Sequence, residues 1–531
     1  MAGHSIAPDA LKNCTPNHLP IPILKTANDQ EAPATQHRTP ITGKTLIAWS
    51  FEPGPEFRKL LAKAIEMDAN GEDEATIKLV LAGLLPPLQI LPRRPSGRYT
   101  LAIHAETPEE EANIAFVRAH MDELMKTPVL EHGAVMPDAC PAGTASGTIP
   151  VGGAVISRAI HPAFHSADIC CSLHATLYRA PDVPTRAIMD AIQSSTRFGL
   201  GGRRPDDWVG DGITRELEET ENPFLKGLAH RAKAQLADQG DGNHFAFAGA
   251  LSVTQGLIDT LAHNGQQVLS EALKPDVNET VLALVTHHGS RDLGAQVYKR
   301  GLAAATAHCA RVSPDTPAHQ AWLDPDSLEG ALYWEALGYV ARWTKRNHEL
   351  IHERTASRLG IEAITAFGNA HNFVWKREGL FYHGKGATPA WRDEDGHPLL
   401  GLIPLNMAAP ILITLGRDNA DACSFAPHGA GRNMSRTALL KKLGIHGLAP
   451  DRYHVAASDI VAAQTEGLDV RFFYGRPDPS ESPLAYKSAA SVRAQIEHYG
   501  LADVIATIEP LGCLMAGDYD KPWQRKRNPA D

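Results

Sequence analysis

Long uninterrupted apolar runs are missing from this chain. A membrane-spanning helix needs about 20 consecutive apolar residues, and the longest candidate, around Ile403 to Leu415, is broken by Pro404, Asn406 and Pro410. No transmembrane span is therefore expected. The N-terminus also lacks the basic-then-apolar pattern of a signal peptide. Cysteine is scarce: Cys14, Cys140, Cys170, Cys171, Cys309, Cys423 and Cys513 are odd in number and scattered. That excludes a disulfide framework and fits a reducing, cytoplasmic setting. Excess positive charge is absent, with 51 Lys+Arg against 61 Asp+Glu and a formal charge of -10. A simple basic coat for nucleic acid is excluded, though a local basic groove is not. Neither a GxxxxGK[ST] phosphate loop nor a GxGxxG turn after a strand occurs.

What is present is 531 residues, 43% of them hydrophobic, and 25 histidines. This is ample for a large core. Residues 1–125 read as an N-terminal appendage, opening with a loose arm over 1–42. Within it, Thr45 to Trp49 is expected as a strand and Pro55 to Met67 and Glu72 to Leu84 as helices. Thr107 is expected to cap a helix running to about Met125. Residues 126–519 read as one large mixed α+β domain, and 520–531 as a polar, basic tail. In the domain, Thr280 to Thr286 is a buried strand, His230 to Gln239 a helix, Leu328 to Ala366 a long helix, and Ala502 to Ile508 an amphipathic segment.

Histidines sit at polar junctions between these elements. His244, His287 and His371 each end a periodic segment beside Asn243, Gly289 or Asn372. With Asp168 and Cys171 they form a mixed imidazole, thiolate and carboxylate set suited to Mn, Zn or Co. Asp168 and Cys171 converge only if the chain turns between them. His161, His165, His174 and His288 are rival ligands. Gly289-Ser290-Arg291, Lys385-Gly386-Ala387-Thr388 and Gly429-Ala430-Gly431-Arg432 each join glycine to a cation, as phosphate binders do. Asp138 and Cys140 follow Pro137 in another turn, and Asp138 is a candidate to orient a ligand histidine. In the stretch Phe425 to Arg436, His428 lies in a glycine-rich turn followed by Arg432 and Arg436, four apart. Its residue type permits a nucleophile toward phosphorus, a phosphate donor or a metal ligand. Arg203-Arg204, Lys345-Arg346, Lys376-Arg377 and Lys441-Lys442 are candidate contacts to a nucleic-acid backbone.

Together these motifs resemble the RtcB family of RNA-splicing ligases, from about Val135 to Gly517. The likeness rests on His428-Gly429-Ala430-Gly431-Arg432-Asn433-Met434-Ser435-Arg436, Gly242-Asn243-His244-Phe245, His287 with Gly289-Ser290-Arg291, Ala370-His371-Asn372, Lys385-Gly386-Ala387-Thr388, Pro483 to Lys487 and Pro510-Leu511-Gly512. The resemblance implies an α+β fold around a central metal and nucleotide site. It implies an RNA ligase joining 3′-phosphate or 2′,3′-cyclic phosphate ends to 5′-hydroxyl ends, as in tRNA processing or RNA repair, using GTP and a pair of Mn²⁺ ions. His428 would become guanylylated. Asp168, Cys171, His244, His287 and His371 would hold the metals, with Cys171 shared between them. Asn243, Asn406, Met407, Gly429, Ala430, Gly431 and Arg432 would join His428 around the nucleotide, and Arg291, Lys385 and Arg436 would touch the RNA. The alternatives within the same fold are a metal-dependent RNA-end phosphoesterase and a non-catalytic RNA-end-binding protein. The chain departs from the family pattern at Cys140, in place of a histidine, at Ser172, in place of a glycine, and at Gly384 and Pro389, in place of arginines. It departs again at Leu405-Asn406-Met407, and at Met515, where the family has a lysine near the guanine.

Overall fold

Strand Thr280–His288 lies near the middle of the larger of two principal sheets in the computed structural model, which describes residues 40–49, 51, 56–84, 89–142, 145–180 and 182–519. Its alternate side chains enter two different cores. Val281, Ala283 and Val285 pack with Phe247, Leu257 and Leu261, whereas Leu282 and Leu284 pack with Ile188, Met189 and Ile192. Burial on both faces is why this strand reads as a continuous apolar run. Helix Gln255–His263 supplies the first cover, and helices Thr185–Ser195 and Leu328–Leu359 the second.

The larger sheet is antiparallel in the order Leu400–Ile403, Ile411–Gly416, Ala502–Met515, Phe245–Ser252, Thr280–His288, Ser172–Tyr178, Ala363–Ala370. Asp469–Phe472 adds a parallel partner to Ala502–Met515. A second sheet runs Tyr99–Leu101, Leu130–Cys140, Val151–Ser157, Leu380–Lys385, Asn372–Arg377. Between the two, Ala387–Pro389 pairs with Phe425–Pro427. A shared core of Ala134, Met136, Ile403, Leu412, Phe425 and Ala426 joins these layers.

Register fixes what meets at one end of the larger sheet. His287 stands opposite Phe245 on one neighbouring strand and Leu173 on the other, and Ser172 stands opposite Ala370. Residues 244, 171, 287 and 371 therefore arrive in one row, from segments far apart in sequence.

Several local expectations need correcting. Thr45 to Ala48 lies in helix Gly43–Ala48, with Trp49 at its C-cap, because Thr42 caps the helix start with a reciprocal side-chain bond to Thr45. The helix expected over His230 to Gln239 stops at Ala234, and Asp238–Gly240 pairs with Arg197–Phe198 instead. The long helix ends at Leu359, where Gly360 takes the left-handed conformation that stops it (φ 65°), and a strand follows. The amphipathic segment from Ala502 is a strand running to Met515. Helices Phe57–Ala69, Glu74–Leu84 and Pro108–Leu124 form where expected, the last capped by Thr107. The arm over 1–39 and the tail from 520 lie outside the described residues.

The rival histidines are structural. His161 bonds Ser157 and the Gln320 carbonyl, and His165 bonds Tyr333. His288 stacks on His348 with ring centroids 3.5 Å apart. Thr286 bridges His348 Nδ1 at 2.6 Å and His352 Nε2 at 2.8 Å, and His174 packs edge-on against His352. Burial keeps these rings neutral: His174 is lowered to about 4 and His383 to about 3, from an ordinary value of 6.5.

The unfolded chain protonates these groups near pH 6.5, whereas the folded chain does so only well below. In that window the unfolded state binds more protons, so stability rises with pH and is lost as pH falls. For His383 alone the loss is about 2 kcal/mol between pH 6.5 and 5. The thermal midpoint is expected to drop by several degrees between pH 7.5 and pH 5. A midpoint that stays level or rises, measured by calorimetry, would contradict this account.

Candidate active site

Cys171 is the hub of the row at the sheet's end. Its Sγ lies 3.2 Å from His287 Nε2 and 3.6 Å from His244 Nε2. His244 Nε2 is 2.9 Å from Asp168 Oδ2, and the Nε2 atoms of His287 and His371 are 3.1 Å apart. Asp168–Cys171–His244 and Cys171–His287–His371 are thus compact donor groups that share one sulfur. The turn needed to bring Asp168 and Cys171 together exists: Cys170 adopts a left-handed conformation (φ 59°), and the Cys171 N–H donates to the Asp168 carbonyl. Gly289 leaves room for the Asp168 carboxylate, which any β-carbon there would strike.

The chemistry of these donors fits a divalent cation. His244 Nδ1 bonds the Gln239 carbonyl at 2.9 Å, and His287 Nδ1 bonds the Asn243 carbonyl at 3.1 Å. Carbonyls only accept, so both Nδ1 atoms carry the proton; His287 Nε2 then offers a lone pair to the cluster, while His244 Nε2 faces the Asp168 carboxylate. Burial holds His287 down at about 3 and His371 well below its ordinary value. Asp168 is pushed up by burial but pulled down further by His244 and Arg291, to about 2. Burial and the nearby carboxylate hold the Cys171 thiol well above its ordinary value. A bound cation reverses that last preference by favouring the thiolate.

His428 faces this cluster from another layer. Its ring centroid is 4.8 Å from that of His371. Its Nδ1 lies 2.6 Å from Oδ2 of fully buried Asp138, to which its backbone N–H also donates at 3.2 Å. Asp138 therefore orients His428 itself rather than one of the clustered histidines, and leaves His428 Nε2 with the free lone pair. Gly431 (φ 70°) lies against the Asp138 backbone, where a side chain would collide.

A cavity of about 350 Å³ opens beside His428. Asn243, Asn406, Met407, His428, Gly429, Ala430, Gly431, Arg432 and Arg436 all line it. Arg432 and Arg436 do not project freely into it: both bond to buried Glu481, which also accepts from the Tyr486 hydroxyl at 2.6 Å. Sequence reading missed Glu481 and Tyr486, although the spacing of two arginines four apart was a cue to look for a shared acceptor. Arg291 and Lys385 lie outside the cavity lining. Arg291 donates to the Gly199 carbonyl beyond His244. Lys385 donates to the Ile149 carbonyl, and burial lowers its ammonium to about 8. Ser290 and Thr388, the hydroxyls of two supposed phosphate turns, are buried and bonded to the Ile169 carbonyl and to Asn369. Arg203 is likewise a buried partner of Asp238, and Arg346 pairs with Asp211 and Glu353, so neither is a free backbone contact.

A histidine aimed by a buried carboxylate, set beside a metal-binding type of donor cluster and a pocket, is the arrangement of a metal-assisted enzyme site. The family described as tRNA-splicing ligase RtcB matches residues 120–516. The chain belongs to the RtcB family. It is 27% identical over 379 residues to the tRNA-splicing ligase RtcB of Archaeoglobus fulgidus, covering 61% of this chain and 73% of that one. It is 25% identical to the RNA-splicing ligase RtcB of Mycobacterium bovis, covering 64% and 78%. To the tRNA-splicing ligase RtcB of Thermococcus kodakarensis it is 24% identical, covering 76% and 90%.

Because Cys171 belongs to both donor groups, Cys171→Ala should remove more bound metal than the loss of a single-group donor such as Asp168. Elemental analysis after desalting of the metal-loaded protein measures this. Equal metal retention by Cys171→Ala and the unmodified protein would contradict a shared sulfur.

Proposed function

We propose that this protein joins RNA ends bearing a 3′-phosphate or 2′,3′-cyclic phosphate to 5′-hydroxyl ends, with GTP and Mn²⁺, through a guanylylated His428. The observation that carries the reading is the pairing of His428 with Asp138, beside the cavity and the donor cluster. The Asp138 carboxylate holds the proton on Nδ1, so that Nε2 attacks the α-phosphorus as a neutral nucleophile. The Nε2–P bond forms, the bond to the bridging oxygen breaks, and pyrophosphate leaves. Asp138 stabilises the positive charge that develops on the imidazole.

An oxygen of the RNA 3′-phosphate then attacks the same phosphorus and releases the His428 nitrogen. The 5′-hydroxyl finally attacks the activated 3′-phosphate, forms the phosphodiester and expels GMP. A cyclic phosphate is first opened by water. Asp168, Cys171, His244, His287 and His371 would hold Mn²⁺, which would supply charge neutralisation at the phosphates. Carboxylate, imidazole and thiolate together form a donor set compatible with that ion.

Incubation with GTP labelled at the α-phosphate and Mn²⁺ should transfer label to the protein, and His428→Ala should abolish it. No transfer from any nucleoside triphosphate overturns the proposal. Consumption of cyclic phosphate ends without covalent label would identify a phosphoesterase instead. Asp138→Asn is expected to slow labelling by up to about 10⁴-fold, the loss that follows when the carboxylate orienting a catalytic histidine is neutralised. Single-turnover labelling rates measure this, and a rate within twofold of the unmodified protein would exclude the role given to Asp138.

A further inference from the structure

The cavity beside His428 has two unlike sides. On one, Glu481 gathers Arg432, Arg436 and Tyr486, so these polar groups are engaged with one another. The other is formed where strand Phe245–Ser252 pairs with strand Ala502–Met515. Phe245 stands opposite Met515 and Phe247 opposite Cys513, which puts all of them on one face. Met407 and Ile411 complete this side, and Phe247, Met407, Ile411, Cys513 and Met515 are each at most 5% exposed. The wall is built from two rings, two thioethers, a branched alkyl group and a thiol that burial keeps protonated, its value pushed up to about 12.

We propose that this apolar wall receives the base of the nucleoside triphosphate and holds it by contact area and stacking, so that the protein does not distinguish guanine from adenine. This rests on the nucleotidyl-transfer reading given above. Guanine and adenine have nearly the same rings and differ in the groups at their hydrogen-bonding edge. A site that separates them needs polar groups aimed at that edge. None of the wall's side chains carries a strong donor or acceptor. Two amides also line the cavity, Asn243 and Asn406, the latter accepting the Ala408 N–H at 3.0 Å through Oδ1, and neither belongs to this wall. Stacking against aromatic side chains tolerates any base, because every base has a π-face. A site built to bond a polar group rejects an analogue lacking it by about 10⁴- to 10⁵-fold, whereas an apolar slot discriminates only weakly.

The test is a labelling panel on the full chain with Mn²⁺, using GTP, ATP and the triphosphate of unsubstituted purine riboside, each labelled at the α-phosphate. Initial rates at equal subsaturating concentration are expected to agree within about tenfold. A preference for GTP above about 1,000-fold overturns the inference while nucleotidyl transfer stands. Absence of label from all three removes nucleotidyl transfer, and this inference with it. Met515→Lys adds a donor that guanine O6 accepts and the adenine amino group does not. It is expected to raise the GTP-to-ATP rate ratio by about tenfold. An unchanged ratio in a variant that still takes label overturns the placement of the base against the wall. Should the variant not fold, the panel on the unmodified chain decides alone.

Discussion

Antiparallel register at one end of the larger sheet is the constraint on which the site depends. The Cys171, His244, His287 and His371 donors lie on or immediately beside strands whose pairing sets them level. A shift of one residue in any pair would move a donor by about 3.3 Å along the strand and turn it to the other face. The same alternation that drives Val281, Ala283 and Val285 into one core and Leu282 and Leu284 into another therefore also holds the donors in place.

Imidazole serves two unlike purposes a few residues apart. His287 turns its Nε2 toward a sulfur and another imidazole, with its Nδ1 fixed by a carbonyl. His288, the next residue, faces the opposite side and stacks on His348 in a buried network of threonine hydroxyls and histidines. Partner type separates the roles. His287 Nε2 meets a thiol and another imidazole, whereas His348 lies between the Ser172 and Thr286 hydroxyls and has both nitrogens satisfied.

The residues that gather around the cavity were legible because glycine, asparagine and histidine at the ends of periodic segments are poor core material and stand out. The strand Thr280–His288 was legible for the opposite reason, being apolar throughout. The partners of Arg203, Ser290 and Lys385 were not legible because a cation or hydroxyl beside glycine looks the same whether it faces solvent or a buried acceptor. Only the distant partners Asp238, Ile169 and Ile149 decide that. Glu481 was invisible because its partners Arg432 and Arg436 lie more than forty residues away. Ala502 to Ile508 could be read only as amphipathic, and the strand's continuation to Met515 was not legible because the bulge between Pro510 and Gly512 interrupts its two-residue alternation.

The nucleophile candidate and the donor cluster are mounted on different bodies. Asp138 belongs to the second sheet and His428 follows the short strand Phe425–Pro427, while Cys171, His244 and His287 belong to the larger sheet. The gap between His428 and the cluster is thus a property of how the layers seat on their common core of Met136, Leu412, Phe425 and Ala426. The arrangement is like a pair of jaws whose hinge is the hydrophobic seam. Trimming that seam would leave both jaws intact and still misalign the bite, an injury that inspection of either half alone would miss.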